Sequence, residues 1–389
     1  MPTAIPKSIT DVTNSWLSEI LGGEITGFDV TFLEGGVLSD AFKIHSIRYA
    51  DSSKLPTSVV LKITNAKEDQ RAVAVNNKVY VREVRFFKEL VDEVPLRTPI
   101  IYSVLDDGSD GCEFFSIVME DLGTHSDVFD QVNDPPDEAY LRKINLEVAE
   151  FHAKFWESDI LERDWLRHPG DRYEFPLHDA ALTCPDNIET FVTLWEKSFG
   201  QSPFHASWSS VEPLAKLICD GNAQQVLDNI YTTFTERPWT LVHNDLRADN
   251  LFRTKGQPAE TGDLTYIDWQ LIGPGPVGPE FTQSWQHSLA PELRRKDLDF
   301  LKQYHQRLVE HSPEAAAYTY EMLVEDYRLG FILWWMALTT LGAATLPSFE
   351  TPEGERMKAL WGQGLQYMWQ AMDDHDCYDL VQKMLSESN

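Results

Sequence analysis

The apolar positions of the first 120 residues change from helical to alternating spacing. Apolar residues from Ile9 to Ile20 recur three and four residues apart, which predicts a helix that Gly22 and Gly23 end. The segments that follow are short, alternating and β-branched, which predicts a mainly antiparallel sheet. The predicted strands are FDVTFL, AFKIHSIRY, TSVVLKIT, IIYSVLDD and EFFSIVME, and the helix VYVREVRFFKEL interrupts them.

The pattern becomes helical after Leu122. The amphipathic segment LRKINLEVAEFHAKFW predicts a long helix, and helical spacing continues to the end of the chain except around residues 241–270. We therefore predict an α+β fold with two lobes. Residues 1–120 would form a small β-rich lobe and residues 121–389 a large α-helical lobe, with a hinge near residue 121.

Residues 329–346 form an uncharged segment of eighteen residues, LGFILWWMALTTLGAATL. This length is at the lower limit for a membrane span. The preceding YEMLVEDYR continues the same helical pattern with charges on it, and no second apolar span occurs. We therefore predict a buried helix in a large helical domain and no membrane partner.

The charge of the chain argues against polyanionic partners. The formal charge is -29 at pH 7, from 62 acidic residues against 33 Lys plus Arg, and no basic stripe is present. We therefore expect no nucleic-acid partner. Between Arg97 and Arg142 eleven acids occur without one Lys or Arg. A solvated acidic surface is the favoured interpretation, and a groove that attracts a cationic substrate is the alternative.

The four cysteines are widely spaced and form no CxxC pair, which argues against a zinc site or a disulfide framework. The beginning of the chain, MPTAIPKSITDVTNSWL, has no apolar core of the kind found in a signal peptide. A reducing, cytoplasmic location is expected.

Two short segments carry the candidate chemistry, LVHNDLRADNLF and TYIDWQ. Asp245 and Asn250 lie five residues apart in one tight loop, and Asp268 follows eighteen residues later on a β-like segment. Mg²⁺ prefers oxygen ligands and usually takes only one or two from the protein beside phosphate groups. Phosphoryl transfer depends mainly on positioning and charge neutralisation. The three side chains together therefore point to phosphoryl transfer from a magnesium-bound nucleotide.

The pattern HxDxxxxN followed by a hydrophobic residue and Asp resembles the small-molecule kinases of the aminoglycoside phosphotransferase and choline/ecdysteroid kinase-like superfamily. The short motifs DNLF and IDWQ are typical of that group, and the resemblance covers nearly the whole chain. It implies a bilobal protein-kinase-like fold, ATP and Mg²⁺ as cofactors, and a hydroxyl group as the acceptor.

The resemblance also implies residue roles. Asp245 would be the catalytic base, and Asn250 and Asp268 would hold Mg²⁺. Lys62 would contact the α- and β-phosphates and pair with Glu83. The remaining nucleotide contacts would come from a short phosphate loop and from a hinge that binds adenine through backbone groups, comprising Gly35, Gly36 and Ser39 in the loop and Met119, Glu120, Asp121 and Leu122 in the hinge.

Five further residues need interpretation. His243 would brace the loop through a hydrogen bond, and His152 is expected to be a hydrogen-bonded core histidine. Arg247 could be a surface cation or could help to neutralise the transferred phosphate. Asn244 stands where the superfamily has glycine, and the segment GPGPVGPEFTQ puts Glu280 where it usually has Asp.

We therefore expect an ATP-dependent kinase acting on a small-molecule alcohol. Aromatic residues of the 160–210 insertion and of the helices after 285 would line the acceptor pocket, which suits a sterol-like alcohol, a choline-like amino alcohol, an aminoglycoside-like sugar or another metabolite. A protein kinase is disfavoured because no DFG or APE-like segment follows Asp268. A pseudokinase that only binds nucleotide is the other alternative. The sequence does not determine the oligomeric state.

Overall fold

A computed structural model describes residues 4–33, 38–51, 54–166, 189, 210–345 and 352–387. The chain divides into two compact units. Unit 1 comprises Met1–Asp127, Phe252–Gly256 and Asp263–Ile272, and unit 2 comprises Val128–Leu251, Gln257–Gly262 and Gly273–Asn389. The predicted assignment of residues 1–120 to ATP binding and 121–389 to catalysis concerns function and stays a prediction.

Unit 1 is built on an antiparallel sheet of five strands with the order β1-β2-β3-β5-β4. Three α-helices accompany it in the described part of this unit. The strands are β1 (Ile25–Leu33), β2 (Ser39–Tyr49), β3 (Val59–Thr64), β4 (Ile101–Asp106) and β5 (Phe115–Glu120), and the helices are α1 (Asn14–Leu21), α2 (Glu68–Asn76) and α3 (Val79–Glu89).

Local chemistry fixes the ends of α1. The side chain of Thr13 accepts a hydrogen bond from the backbone N–H of Trp16 at the start of the helix. Gly22 ends it in the left-handed conformation, with φ 79°, which glycine adopts without steric cost. The predicted stop at Gly22 is confirmed, and Trp16 and Leu17 pack into the core of the sheet.

The alternation of side chains along strand β3 places Lys62 on the face opposite the buried apolar residues of the strand. Val59, Leu61 and Ile63 are buried on one face, because successive side chains of a strand point to opposite faces. Lys62 lies between them in sequence and therefore on the other face. It pairs with Ala41 of β2 and Ile117 of β5, so both neighbouring strands hold its backbone.

Short strands frame the predicted catalytic segment. Strand β7 (Thr240–Val242) pairs antiparallel with β10 (Gly273–Gly275). Strands β6 (Ser126–Val128), β8 (Leu251–Thr254) and β9 (Leu264–Tyr266) form a three-stranded sheet in the order β6-β8-β9. The predicted interruption of the helical pattern around residues 241–270 is therefore confirmed.

Unit 2 is mainly helical. Its first helix begins where the side chain of Asp137 accepts a hydrogen bond from the backbone of Tyr140. The described helices are α4 (Glu138–Lys154), α5 (Val211–Leu217), α6 (Ala223–Thr235), α7 (Val277–Ser288), α8 (Pro291–Arg294), α9 (Asp297–His311), α10 (Tyr320–Thr345), α11 (Pro352–Asp374) and α12 (Cys377–Glu387).

Helices α7 and α10 approach each other through two glycines. A methyl group on Gly278 would lie 2.5 Å from the backbone of Asp326, and one on Gly330 would lie 2.5 Å from Thr282 Oγ1. The hydroxyl of Thr282 donates to the carbonyl of Tyr327, which joins the two helices where they are closest. These contacts matter for the candidate site because α7 carries residues that reach the loop predicted to be catalytic.

The apolar segment 329–346 is part of α10. The side chains of residues 329–337 are buried, so the predicted buried helix is confirmed over these residues. No helix in the described part of the chain has the length and apolar character that crossing a membrane requires.

The predicted α+β class, with a β-rich first part and a helical second part, is also confirmed. Helix α2 was missed by the sequence analysis, because its EDQRAVAVN has a weak apolar pattern.

Candidate active site

The predicted catalytic loop is largely buried in unit 2. It runs from the end of β7 to the beginning of β8, and His243, Asn244, Asp245 and Asn250 are all buried. Asn244 adopts a left-handed backbone conformation with φ 61°. Asn accepts this conformation more readily than most residues other than glycine, so its presence at the family's glycine position is consistent with the loop geometry.

Three side chains surround the carboxylate of Asp245. Asn250 Nδ2 donates to Asp245 Oδ2 over 2.9 Å and to the Asp245 carbonyl over 2.8 Å. Gln283 Nε2 of α7 donates to Oδ1 over 3.1 Å, and Arg247 Nε lies 3.3 Å from the same oxygen. The structure thus brings Asp245, Asn250 and Arg247 together, and it adds Gln283, which the sequence analysis missed.

Arg247 is the more exposed member of this group. Its side chain is 31% exposed, and its Nη1 also lies 3.6 Å from Asp249 Oδ2. Asp249 in turn accepts a hydrogen bond from Gln131 Nε2 over 2.7 Å. A partly exposed guanidinium next to the candidate base keeps the suggested phosphate contact open, and that role stays a prediction.

Glu280 anchors the backbone of the loop. Its Oε1 accepts hydrogen bonds from the backbone N–H groups of His243, over 2.6 Å, and Asn244, over 3.1 Å. Its Oε2 lies 2.7 Å from His152 Nε2, and His152 Nδ1 lies 2.7 Å from the hydroxyl of Tyr304. His152 is the hydrogen-bonded core histidine that the sequence predicted.

The position of Glu280 was recognised from sequence, but its contacts were not. A carboxylate thirty-five residues after Asp245 gives no local signal that it binds the loop backbone. Burial of Glu280 and His152 strengthens these hydrogen bonds, because the surroundings are less polar than water. Burial also raises the pKa of Tyr304 well above its ordinary value, and the charge of Glu280 raises it further.

His243 braces the loop from within. The backbone N–H of Asp245 donates to His243 Nδ1 over 3.3 Å, which is a long hydrogen bond. The ring therefore supports the backbone beside Asp245.

The second group of candidate residues lies in unit 1, around Lys62. Lys62 Nζ lies 2.8 Å from both carboxylate oxygens of Glu83 and 2.8 Å from Asp268 Oδ1. Lys62 is 12% exposed, Glu83 2% and Asp268 19%. Strand β3, helix α3 and the segment after β9 thus bring three distant residues into one ionic cluster. We call Lys62, Glu83 and Asp268 the lysine cluster.

Electrostatics keep the lysine protonated. Burial lowers the pKa of Lys62, but the charges of Asp268 and Glu83 and their hydrogen bonds outweigh burial, so the pKa lies above its ordinary value. Burial raises the pKa of Glu83, and Lys62 opposes that effect. With all three groups ionised, two carboxylates and one ammonium leave a net charge of -1.

The backbone of Asp268 is unusual for a residue with a side chain. It lies in the left-handed region, with φ 66° and ψ 58°. Such conformations are uncommon for residues other than glycine, and they concentrate at functional sites. The next residue, Trp269, is fully buried and stacks on Phe86 of α3 with the ring centroids 4.2 Å apart. This packing fixes the chain beside Asp268 against the helix that carries Glu83.

The predicted adenine segment follows the end of β5. Asp121 accepts a 2.6 Å hydrogen bond from the hydroxyl of Ser58, and Lys43 Nζ lies 2.8 Å from the same carboxylate. Burial raises the pKa of Asp121, but these hydrogen bonds and the charge of Lys43 bring it below its ordinary value. Glu120 Oε1 lies 2.8 Å from His125 Nε2, and Leu122 begins a 3₁₀ helix. The acidic side chains are therefore structural, and adenine binding by this segment stays a prediction.

The predicted phosphate loop is only partly described. Gly35 and Gly36 lie outside the described residues. Ser39 is buried at the beginning of β2, where it pairs with Thr64. Tyr80 of α3 donates a hydrogen bond to the carbonyl of Leu38, next to Ser39.

Most of the predicted acceptor pocket also lies outside the described residues, including Tyr173, Phe175, Trp208 and the side chain of Trp285. Trp334 and Trp335 are buried in α10, and Trp334 Nε1 donates to the carbonyl of Pro279. These two rings are therefore core residues.

The chemistry of the candidate ligands suits magnesium. Carboxylate and amide oxygens are hard ligands, and Asn250 uses its amide nitrogen to bind Asp245, which leaves the amide oxygen as its ligand atom. The surplus negative charge of the lysine cluster also favours a cation. Within the described residues, no group of three or more His, Cys, Asp and Glu side chains could hold a metal ion. A magnesium ion bound mainly through nucleotide phosphates needs no such group.

Comparisons with known proteins identify the relatives of this chain. Residues 36–316 match the ecdysteroid kinase-like family. No curated protein sequence is significantly similar to the chain. Among solved structures, an ethanolamine kinase of Plasmodium vivax is 12% identical with a TM-score of 0.48, and the match covers 95% of this chain and 87% of that one. A choline kinase of Streptococcus pneumoniae is 13% identical with a TM-score of 0.46, covering 91% and 96%. Because these identities and scores are low, the family assignment rests on the sequence match.

Proposed function

Because the chain belongs to the ecdysteroid kinase-like family, we propose that it transfers the γ-phosphoryl group of ATP to a hydroxyl group of a small molecule. The observation that carries this proposal is the contact between Asp245 and Asn250, whose side chains meet over 2.9 Å in one buried loop. A kinase of this kind needs a carboxylate that orients the acceptor hydroxyl and an oxygen ligand for the nucleotide-bound metal. This pair can supply both.

The residues have distinct roles in this proposal. Asp245 orients the acceptor hydroxyl and takes its proton. Asn250 and Asp268 are the magnesium ligands, and Lys62, held by Glu83, binds the nucleotide phosphates. Magnesium bound to ATP would neutralise phosphate charge during the transfer. Arg247 is a second cation that could stabilise the transferred group.

The acceptor is a small-molecule alcohol in this proposal, and its class stays open among sterol-like alcohols, amino alcohols, sugars and other metabolites. The high negative charge makes a nucleic-acid substrate a poor fit. A cytoplasmic location is part of the proposal and is supported by the widely spaced cysteines.

A screen with labelled ATP tests the proposal. Purified protein would be incubated with Mg²⁺, labelled ATP and a panel of hydroxylated metabolites, with casein as a protein acceptor and EDTA as the metal control. We expect labelled phosphate on a small molecule, none on casein, and none after EDTA treatment.

Thermal-shift measurements in the same series separate the alternatives. Stabilisation by Mg-ATP without phosphate transfer to any acceptor would favour a nucleotide-binding pseudokinase. Transfer to casein instead of a metabolite would favour a protein kinase. The absence of both nucleotide binding and transfer would contradict the kinase proposal.

A further inference from the structure

We propose that Gln283 is a positioning residue that holds Oδ1 of Asp245, so that Oδ2 faces the acceptor hydroxyl and takes its proton. This inference rests on the proposed function, because it concerns the carboxylate assigned there as the base. Gln283 lies on α7, outside both motifs that indicated the chemistry, and it contacts the loop only through the folded structure.

One face of α7 serves the catalytic loop at two points. Glu280 and Gln283 are three residues apart, a spacing that puts two side chains on the same side of a helix. Glu280 binds the backbone N–H groups of His243 and Asn244, and Gln283 binds the side chain of Asp245. The helix therefore fixes the loop backbone and the direction of its carboxylate together.

The direction of the hydrogen bond follows from the chemistry of the two groups. An ionised carboxylate can only accept hydrogen bonds, so the amide nitrogen of Gln283 must face it. Gln283 is 5% exposed and Asp245 8%, so little water competes for this contact. A hydrogen bond from a neutral donor to a charged acceptor is stronger than one between neutral groups.

The two oxygens of the Asp245 carboxylate have different neighbours. Each carboxylate oxygen offers about two lone pairs. Oδ1 accepts a hydrogen bond from Gln283 and has the guanidinium of Arg247 as an ion-pair neighbour, with Nε 3.3 Å away. Among the described residues Oδ2 accepts from Asn250 alone. Oδ2 therefore has one polar neighbour fewer than Oδ1, and we assign it as the oxygen open to the acceptor hydroxyl.

The chemical step uses that open site. The acceptor O–H bond breaks and its proton moves to Asp245 Oδ2, while the acceptor oxygen forms a bond to the γ-phosphorus of ATP. The bond from phosphorus to the bridging oxygen breaks, and its electron pair leaves with ADP. Gln283 takes no proton and touches no reacting atom, so its contribution is to prevent rotation of the carboxylate.

Matched variants of α7 test this role. Gln283→Met keeps the approximate size of the side chain and removes the donor. Thr282→Val removes a buried hydroxyl on the same helix that bonds to Tyr327 and does not contact Asp245. For each chain we would measure kcat, the KM for ATP and the acceptor, and Tm.

We expect Gln283→Met to lower kcat by about ten- to a hundredfold, the effect of losing one hydrogen bond to a charged group. The KM for ATP should stay within about twofold, because Gln283 has no part in nucleotide binding. Gln283→Glu, which cannot donate when ionised, should lose at least as much activity at pH 8. Thr282→Val should lower Tm while kcat stays within about threefold. Full kcat in Gln283→Met, or equal losses of kcat in Gln283→Met and Thr282→Val, would overturn the inference.

A double-mutant cycle separates this inference from the proposed function. Asp245→Ala, Gln283→Met and the double variant would be compared by Tm. If the two side chains are coupled, the double variant loses less Tm than the sum of the single losses. If the wild-type chain transfers no phosphate, the proposed function fails, and additive Tm losses would then reject the positioning contact as well. Non-additive losses would retain it.

Discussion

The lysine cluster of unit 1 and the catalytic loop of unit 2 hold their carboxylates by different physical means. In the lysine cluster, one ammonium group lies between two carboxylates, which gives a net charge of -1 when all three groups are ionised. In the loop, Asp245 is held mainly by the neutral amides of Asn250 and Gln283, and the partly exposed Arg247 lies nearby.

This difference suggests different tasks. Surplus negative charge in a poorly solvated cluster favours the arrival of a cation, which suits residues assigned to a magnesium-bound nucleotide. Neutral donors fix a carboxylate in one orientation without neutralising it, which suits a base. The loop therefore orients its carboxylate through neutral hydrogen-bond donors, whereas the lysine cluster holds two carboxylates through one shared ammonium group.

The largest effect is expected at Asp245, the proposed base. Asp245→Ala should lower kcat by about 10²–10⁴-fold, because no group remains to orient and deprotonate the acceptor. Steady-state kinetics on the acceptor found by the screen would measure this, with circular dichroism to check the fold. Asp249→Asn removes a carboxylate from the same loop and should keep kcat within about tenfold. Activity close to wild type in Asp245→Ala would remove Asp245 from the mechanism.

The lysine cluster should respond in stability as well as in binding. Lys62→Met leaves Glu83 and Asp268 without their ammonium partner, and breaking a buried pair in this way costs about 3–5 kcal/mol. Urea unfolding would measure the loss, and nucleotide titration should show weakened Mg-ATP binding.

Lys43, in the neighbouring strand of the same sheet, provides a control for Lys62→Met. Lys43→Met breaks a pair whose lysine is 35% exposed and has one carboxylate partner, so its cost should be smaller. Added Mg²⁺ should recover part of the Tm lost in Lys62→Met, because a cation can replace the missing charge. If Mg²⁺ recovers none of the lost Tm, that result would count against a metal at the lysine cluster. Equal losses in the free energy of unfolding for Lys62→Met and Lys43→Met would contradict the larger electrostatic role that we assign to Lys62.

A third prediction concerns pH and the buried carboxylate of Asp326. Burial raises the pKa of Asp326 to about 6, although Arg237, 2.9 Å away, and the hydroxyl of Tyr318 lower it. The folded chain therefore binds the carboxyl proton of Asp326 more tightly than the unfolded chain does. Its contribution to stability is complete below about pH 4 and is lost as pH rises to about 6, by roughly 3 kcal/mol.

Asp326→Asn should therefore remove this part of the pH dependence. Urea unfolding at intervals from pH 4 to pH 7 would give the difference between wild type and variant. Glu325→Gln is the control, because Glu325 contacts the same arginine but is 42% exposed. A constant difference between wild type and Asp326→Asn across this range would show that the raised pKa is wrong.

The smallest effect is expected where α7 meets α10. Gly278→Ala would put a methyl group 2.5 Å from the backbone of Asp326, and overpacking of this kind costs about 1–2 kcal/mol. The displaced α7 carries Glu280 and Gln283, so kcat should fall together with Tm. Gly123→Ala, whose methyl would come no closer than 3.2 Å to Asp121 Oδ1, should change both less. A lower Tm with unchanged kcat in Gly278→Ala would contradict this prediction, because it would show that the packing of α7 can change without altering the geometry of the loop.

Much of the fold followed from local patterns. Strand β3, which contains Lys62, and strand β5, which ends at Glu120, are short and mainly apolar, and the helix containing Glu83 has apolar residues at helical spacing. Each of these elements was therefore predicted close to its observed bounds. Helix α2 was missed because its apolar residues are few and weakly arranged. Local patterns succeed where one face of an element is buried and fail where burial is slight.

The candidate site divides in the same way. The spacing of Asp245, Asn250 and Asp268 identified the chemistry, because a short loop and a strand end restrict where those side chains can lie. Gln283 and the backbone contacts of Glu280 could not be found in this way, since each joins residues more than thirty positions apart.

The sequence by itself therefore determined the secondary structure around the motifs, the family resemblance and the oxygen-rich chemistry of the candidate ligands. Only the tertiary structure decided which neighbours orient those ligands: Gln283 on Asp245, Glu280 on the loop backbone, and Phe86 on Trp269. The physical reason is range. Alternation, helical spacing and turn chemistry act between residues a few positions apart, whereas hydrogen bonds and ring contacts between distant segments exist only after the chain has packed.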